Sequence, residues 1–326
     1  MNPMARDSNY ELCFAKKRMM QLSLSFLLGF AFIQISQGQS HANPYIIVLG
    51  TAQDGGYPQV GCTKNCCNLA WKYDSLKRYV VSLALVDSVS HQWWLFEATP
   101  DFKYQLQLFR KLTQERYKYL PDGIFITHAH IGHYTGLMQL GREVMDAKEI
   151  PVYVLPRMAF FLENNGPWSQ LVKLKNIVIH QLNPDSTLML ENNIRIETFT
   201  VPHRDEFSET AGFRIITPQK KYLFIPDINK WGKWNESIVY EVKAVDYAFL
   251  DGTFYSSTEL PGRKIEEVPH PLIPETMELF HNEDAATRGK IYFIHFNHTN
   301  PVLWDKDTKA IVKKNGFHVA EQGEEL

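Results

Sequence analysis

The sequence predicts an α/β protein in which two mixed β-sheets are sandwiched between helices. Three observations carry that reading: many short β-branched or aromatic runs bounded by turn residues, helical spacings set among them, and no compositional break between the two halves. The first series of strands is read at 45–49 (YIIVL), 80–86 (VVSLALV), 93–97 (WWLFE) and 124–127 (IFIT), with helices over 101–112 and 134–145. A second series follows at 152–155, 177–182, 194–201, 212–217, 222–226, 247–250 and 292–296, with helices over 157–164, 236–245, 274–281 and 304–315. Neither an internal repeat nor a low-complexity linker divides them, so one domain over residues 39–326 is expected.

Composition narrows the function classes. The chain has 326 residues, 44% hydrophobic and 13% aromatic, and its 34 Lys and Arg nearly balance 36 Asp and Glu. That excludes intrinsic disorder, collagen-like repeats and coiled coil. Basic residues are spread along the chain, without the concentrated positive face that nucleic acid or an anionic membrane demands. A small-molecule substrate is the expected partner.

Residues 1–38 have the plan of a cleaved signal peptide. Lys16, Lys17 and Arg18 precede the apolar run 22–35 (LSLSFLLGFAFIQI), and small residues follow at Ser36 and Gly38. An apolar run of this length is short of the ~20 residues that a spanning helix needs. The mature protein is therefore expected to be exported, to the periplasm, without stable membrane insertion. Beyond the leader the chain keeps Cys62, Cys66 and Cys67, three thiols within six residues. Adjacent cysteines pair poorly with each other and an odd thiol is always left over, so metal binding explains the cluster better than a disulfide.

The strongest chemical signal is THAHIGH, residues 127–133. It places His128, His130 and His133 in a loop between the strand 124–127 and a predicted helix. A His-x-His pair leaving a strand end can aim two neutral imidazoles at one cation, which suits zinc, iron or manganese. Downstream, His203, Asp227, Asp251, His295 and His298 each follow a predicted strand, so all can gather at one edge of the sheets.

With these residues in hand, the chain resembles the metallo-β-lactamase superfamily, whose motif is His-x-His-x-Asp-His followed by a His, an Asp and a last His at strand ends. The segments VLGTAQDGGYPQVGC, FEATPDFKYQL, THAHIGHYTGL, FLDGTF and HFNHTNPVL are most similar to the pyrroloquinoline-quinone biosynthesis B proteins within it. The resemblance implies a metallo-β-lactamase-like αββα sandwich. It also implies a first metal site of His128, His130 and His203, a bridging Asp227, and a second site containing His133 and His295. Gly132 stands where the superfamily has the second-site aspartate, so the second ion is expected to be weak or absent. The related families also hold a structural zinc at the cysteine loop. There the resemblance implies Cys62, Cys66, Cys67 and, after the DGTF segment, His270 as ligands, with one of Cys66 and Cys67 open to being a bystander.

The expected chemistry is metal-dependent hydrolysis of an ester, lactone or phosphodiester, because three imidazoles leave an open position at Zn2+ for water. Asp227 would orient the nucleophile and His298 would protonate the leaving group. Asp251 would steady a ligand histidine. The same ligand types also suit Fe2+ or Mn2+, and so a mononuclear non-haem iron oxygenase, or a non-catalytic metal-binding relative. Trp231 and Trp234, just past Asp227, are candidate substrate contacts.

Overall fold

The computed structural model describes residues 43–260, 262 and 268–326. The leader read at 1–38 lies outside them. The chain from His41 to Leu326 forms one compact unit.

Thirteen strands build two sheets among the described residues. The first contains β1 (Tyr45–Gly50), β2 (Ser82–Asp87), β3 (Gln92–Phe96), β4 (Gly123–Phe125), β5 (Ile150–Val154) and β6 (Ile177–Gln181), hydrogen-bonded in that order. The second contains β7 (Ser186–Met189), β8 (Arg195–Val201), β9 (Thr210–Ile216), β10 (Lys221–Ile225), β11 (Tyr247–Asp251), β12 (Ile291–Ile294) and β13 (His318–Val319), again in sequential order. Each sheet has an antiparallel half and a parallel half. In the first, β1–β2–β3 are antiparallel and β3 to β6 run parallel. In the second, β7 to β10 are antiparallel and β10 to β13 run parallel. Parallel strands put their C-terminal ends on one edge, where loops can converge on a ligand.

The layers follow from where the apolar faces go. Between the sheets, Ile46, Val48, Leu85 and Phe96 of the first meet Phe213, Tyr222, Phe224 and Ile294 of the second. Phe96 stacks on Phe125 at 4.8 Å between ring centroids and meets Phe213 edge-on at 5.4 Å, the arrangement aromatic quadrupoles prefer. The outer face of the first sheet is covered by helices Phe102–Leu112 and Pro156–Asn164, which contribute Phe102, Leu106, Phe109, Met158 and Leu162. Helices Ile238–Lys243, Ile273–Leu279 and Lys306–Lys314 cover the outer face of the second. The result is the αββα sandwich that the sequence predicts.

Two details differ from expectation. The helix read over 134–145 is only one turn, Ile131–Tyr134, followed by a 3-10 stretch Thr135–Leu140. The cysteine loop includes a helix, Asn65–Lys72, that buries Cys66, Cys67 and Ala70. No helix among the described residues is long and apolar enough to cross a membrane.

Candidate metal centre and cysteine cluster

Five strand ends deliver the cleft. The chain leaves β4 through Thr127 and His128, and Thr127 is tied down on both sides: its N–H donates to Glu97 Oε2 at 3.3 Å and its carbonyl accepts from Ala211 N. His203 follows β8 and Asp227 follows β10. Asp251 ends β11, and His295 comes directly after β12.

His128, His130, His203 and Asp227 converge on one point. His128 Nε2 is 2.8 Å from His130 Nδ1 and 3.4 Å from Asp227 Oδ2. His203 Nε2 is 3.2 Å from both His130 Nδ1 and Asp227 Oδ2, and His130 Nδ1 is 3.9 Å from that oxygen. Donors about 2.0–2.1 Å from a tetrahedral ion stand about 3.3 Å apart, so the four atoms form the cage such an ion needs. Outer partners fix the rings. Thr127 Oγ1 hydrogen-bonds His128 Nδ1 at 2.8 Å, and Glu206 Oε2 holds His130 Nε2 at 2.9 Å. A metal-ligating histidine normally has its second nitrogen occupied in this way.

Beside this group lies a second one. His133 and His295 are fully buried, and His133 Nε2 is 3.5 Å from Asp54 Oδ1 and 4.0 Å from Asp227 Oδ2. Glu97 Oε1 lies 3.2 Å from His133 Nδ1, and Thr253 Oγ1 hydrogen-bonds His295 Nδ1 at 2.9 Å. Glu97 and His295 both have positive φ, +73° and +66°, a conformation costly for residues with side chains and characteristic of functional sites.

Asp54 was not among the sequence candidates. A Cβ placed on Gly132 would run into the Asp54 side chain and lie 2.6 Å from its Cα. A carboxylate besides the shared Asp227 thus faces this second group although position 132 is glycine: it arrives from the loop after β1. The available signal was the polar residue itself, set between β1 and two glycines in VLGTAQDGG.

His270 and His298 exchange places relative to expectation. His270 is not at the cysteines. Its Nδ1 sits 3.1 Å from Asp227 Oδ1 and 2.9 Å from Asp251 Oδ2, inside the cleft. His298 is not in the cleft: its Nδ1 lies 3.4 Å from Cys67 Sγ and 3.9 Å from Cys66 Sγ. Cys62 Sγ and Cys66 Sγ are 3.8 Å apart, close to the roughly 3.8 Å edge of a tetrahedron of thiolates at 2.3 Å from zinc. Cys62, Cys66, Cys67 and His298 thus form one four-donor group with neither adjacent cysteine left out. The physical reason is chain length. Three residues past His295 the chain has already left the strand end, and Asn300 Nδ2 pins the turn to the Gly252 carbonyl at 2.7 Å, directing His298 to the cysteine helix.

Burial and neighbouring charges set the protonation of these groups differently from one side chain to the next. Burial and the neighbouring His133 hold His128 well below its ordinary value, and burial lowers His295 to about 4, so both rings are neutral near pH 7. Burial opposes charge on Asp227, yet His203, His270 and His295 hold it well below the usual carboxylate range. Burial also opposes charge on His133, but Glu97, with Asp54 and Asp227, outweighs it and raises the ring to about 9. For His270 the Asp251 and Asp227 carboxylates likewise outweigh burial and lift it to about 10. At the cysteines, burial pushes the Cys67 thiol up to about 12.

Buried polar atoms without a hydrogen-bond partner mark the cleft. They include His133 Nε2, His295 Nε2 and Asp54 Oδ1, all facing the cleft. Buried donors and acceptors are rarely left unpaired, so this concentration fits a bound cation. Trp231, expected near substrate, is buried in the outer layer, where its Nε1 donates to Thr276 Oγ1 at 2.9 Å. Trp234 Nε1 donates to the Thr200 carbonyl.

Comparison with known proteins agrees with this fold. The Beta-lactamase superfamily domain matches residues 92–296. The chain belongs to the metallo-β-lactamase superfamily. Within it, the chain is similar to the coenzyme PQQ synthesis protein B of Methylorubrum populi, 26% identical over 306 residues covering 86% of this chain and 98% of that protein. The Rhizobium meliloti protein of the same name is 26% identical over 314 residues, with 86% and 97% covered. Among solved structures, Zn2+-bound PqqB from Methylobacterium extorquens superposes with a TM-score of 0.69 at 22% identity, covering 86% of this chain and 99% of that one. A diphosphatase of the PhnP family gives 0.61 at 18% identity, covering 87% and 96%.

Proposed function

We propose that this protein is a metal-dependent hydrolase acting on an ester, lactone or phosphodiester-type small molecule. The observation that carries the reading is the convergence of three imidazole nitrogens, His128 Nε2, His130 Nδ1 and His203 Nε2, on one point beside an Asp227 carboxylate shared with the neighbouring group, so that three donors are committed to one ion and a position is left for water. A divalent ion held there supplies Lewis acidity, polarising an ester or phosphoryl oxygen and making water acidic enough to serve as nucleophile near neutral pH.

The chain's own residues do the rest. Asp227 faces both ways, with Oδ2 on the histidine cage and Oδ1 on His270, so it holds and orients the attacking water between them. Water adds to the carbonyl carbon or phosphorus, the bond to the leaving oxygen breaks, and that oxygen needs a proton. His270 takes the role expected of His298. Its Nδ1 is committed to Asp227 and Asp251, so a proton it delivers leaves from Nε2. The ring stands 5.6 Å from that of His203 and 6.2 Å from that of His295, within the cleft. Glu206 and Thr127 keep His130 and His128 in the ligating orientation.

Cys62, Cys66, Cys67 and His298 are proposed to hold a structural Zn2+, since four donors close a tetrahedron and leave no position for water. The Zn2+-bound PqqB structure supports zinc as the ion. The diphosphatase neighbour supports a phosphoryl-bearing substrate. The basic, apolar and small-residue leader supports an exported, periplasmic protein.

The test is metal content and hydrolysis of bis(p-nitrophenyl) phosphate and p-nitrophenyl acetate, measured on residues 39–326 and on a His128→Ala/His130→Ala variant. Ion loss together with loss of hydrolysis in the variant is expected. Unchanged metal content, or hydrolysis that survives the double substitution, overturns the reading.

A further inference from the structure

We propose that Asp54 supplies the carboxylate that Gly132 lacks, so that Asp54, His133 and His295, with Asp227 shared, hold a second divalent cation. The inference rests on the first ion occupying the neighbouring cage, and it deepens the hydrolase reading.

Three observations converge. The first is that Asp54, His133 and His295 bring one donor atom each within 4.8 Å of one another. The second is unmet demand. Asp54 Oδ1, His133 Nε2 and His295 Nε2 are buried atoms without a hydrogen-bond partner, while the other nitrogen of each histidine is engaged, His133 Nδ1 beside Glu97 and His295 Nδ1 by Thr253. A side chain anchored on one nitrogen and bare on the other is prepared to ligate. The third is mutual exclusion. The space that a side chain at Gly132 would enter is filled by Asp54, so position 132 must be glycine for Asp54 to be where it is.

The loop carrying Asp54 is placed by the same strand end that carries His295. Phe296 N donates to the Thr51 carbonyl at 2.8 Å and Gln53 N donates to the Phe296 carbonyl at 2.8 Å. Residues 51–53 are thereby laced to the residue after His295. Gly56, at φ +70°, then turns the chain back, and its N–H donates to the Gln53 carbonyl at 2.7 Å. The carboxylate has moved in sequence, from the motif to the β1 loop, while staying in place in space. Two imidazoles with one or two carboxylates suit Mn2+, Fe2+ or Zn2+.

The test titrates metal-stripped protein with Mn2+ and Zn2+ by calorimetry, with ions per chain counted by elemental analysis. It compares the unaltered chain with Asp54→Ala, Gly132→Asp and the Asp54→Gly/Gly132→Asp swap. The inference expects two cleft ions in addition to the cysteine-site ion. In Asp54→Ala it expects the second cleft ion to weaken by at least about 100-fold, beyond what an outer partner usually controls, with the first unchanged. Gly132→Asp alone, crowded against Asp54, should also lose the second ion, and the swap should recover it. Mn2+ in both positions gives an exchange-coupled resonance signal that Asp54→Ala should abolish. If the unaltered chain binds one cleft ion, and His128→Ala/His130→Ala removes it, the first site stands and this inference falls. If it binds none, the hydrolase reading falls as well. Two cleft ions with equal affinity in Asp54→Ala, or a swap no better than Gly132→Asp, also overturn the inference.

Discussion

The cysteine cluster and the histidine cleft share two stretches of chain, yet they are built on opposite plans. The segment after β1 sends Asp54 to the cleft and Cys62, Cys66 and Cys67 to the cluster. The segment after β12 sends His295 to the cleft and His298, three residues later, to the cluster. The cluster draws three of its four donors from one loop and helix, with thiols resting against one another. The cleft draws single side chains from separate strand ends and braces them with Thr127, Glu206, Glu97 and Thr253. A closed tetrahedron of thiolates and imidazole stabilises a fold and leaves water no position. Braced imidazoles around shared carboxylates are oriented for chemistry and leave room for it. The difference is what the proposed division rests on, a structural ion at the cysteines and a catalytic one in the cleft.

That division can be broken by substitutions, taken here from the largest expected effect down. His128→Ala/His130→Ala should reduce kcat/KM for an activated phosphodiester by about 1,000-fold or more, roughly 4 kcal/mol of transition-state stabilisation, while Tm moves by only a few degrees. A large fall in Tm with little loss of activity would show that the cleft is the structural site. Cys67→Ser should do the reverse. Losing about 3 kcal/mol or more of metal-coupled folding energy should lower Tm by about 6–12 °C, with kcat of the folded fraction within about threefold of the unaltered chain. Thermal unfolding with and without a chelator checks this, and the chelator should add no further loss from the cluster in the variant.

Thr253→Val sharpens the comparison from the brace side. It removes the hydroxyl that contacts His295 Nδ1 and donates to Asp251 Oδ1 at 2.7 Å. Cleft ion affinity should fall about 10–100-fold by titration, with the cysteine-site ion unaffected. Glu206→Gln should stay near the lower end of that range, because the Glu206 side chain is about half exposed, 45%, and water can partly replace it. Trp231→Phe should move least. It loses a buried hydrogen bond to Thr276, about 1 kcal/mol in stability by chemical denaturation, and leaves KM unchanged. A raised KM would return Trp231 to the substrate pocket.

Much of this was legible in the sequence because buried strands in α/β folds are continuous apolar runs. Those runs located eleven of the thirteen strands among the described residues, with ends shifted by a few positions at most. The exceptions have physical causes. In β7 (STLM) the residues alternate between half-buried and exposed, and β13 contributes only His318 and Val319. The one-turn helix at Ile131–Tyr134 ends early because the chain is pinned at Ala98, whose N–H donates to the His133 carbonyl and whose carbonyl accepts from Gly136 N. The His128/His130/His203/Asp227 group was legible as a pattern of strand-end residues. Asp54 was not, because nothing local distinguishes a ligand from a turn aspartate beside two glycines. Its role becomes visible only when Gly132 and Asp54 are seen to claim the same space. His270 and His298 were exchanged because spacing along the chain does not say which of two neighbouring groups a loop histidine enters; the Asn300 side chain and the Asp251 carboxylate decide that.

The most direct measurement of the central claim is an anomalous-difference map at the metal absorption edge, from crystals of residues 39–326 grown with Mn2+ or Zn2+. The account predicts a peak among His128 Nε2, His130 Nδ1, His203 Nε2 and Asp227, and a separate one among Cys62, Cys66, Cys67 and His298. A map with density at the cysteines and none in the histidine cleft would contradict it.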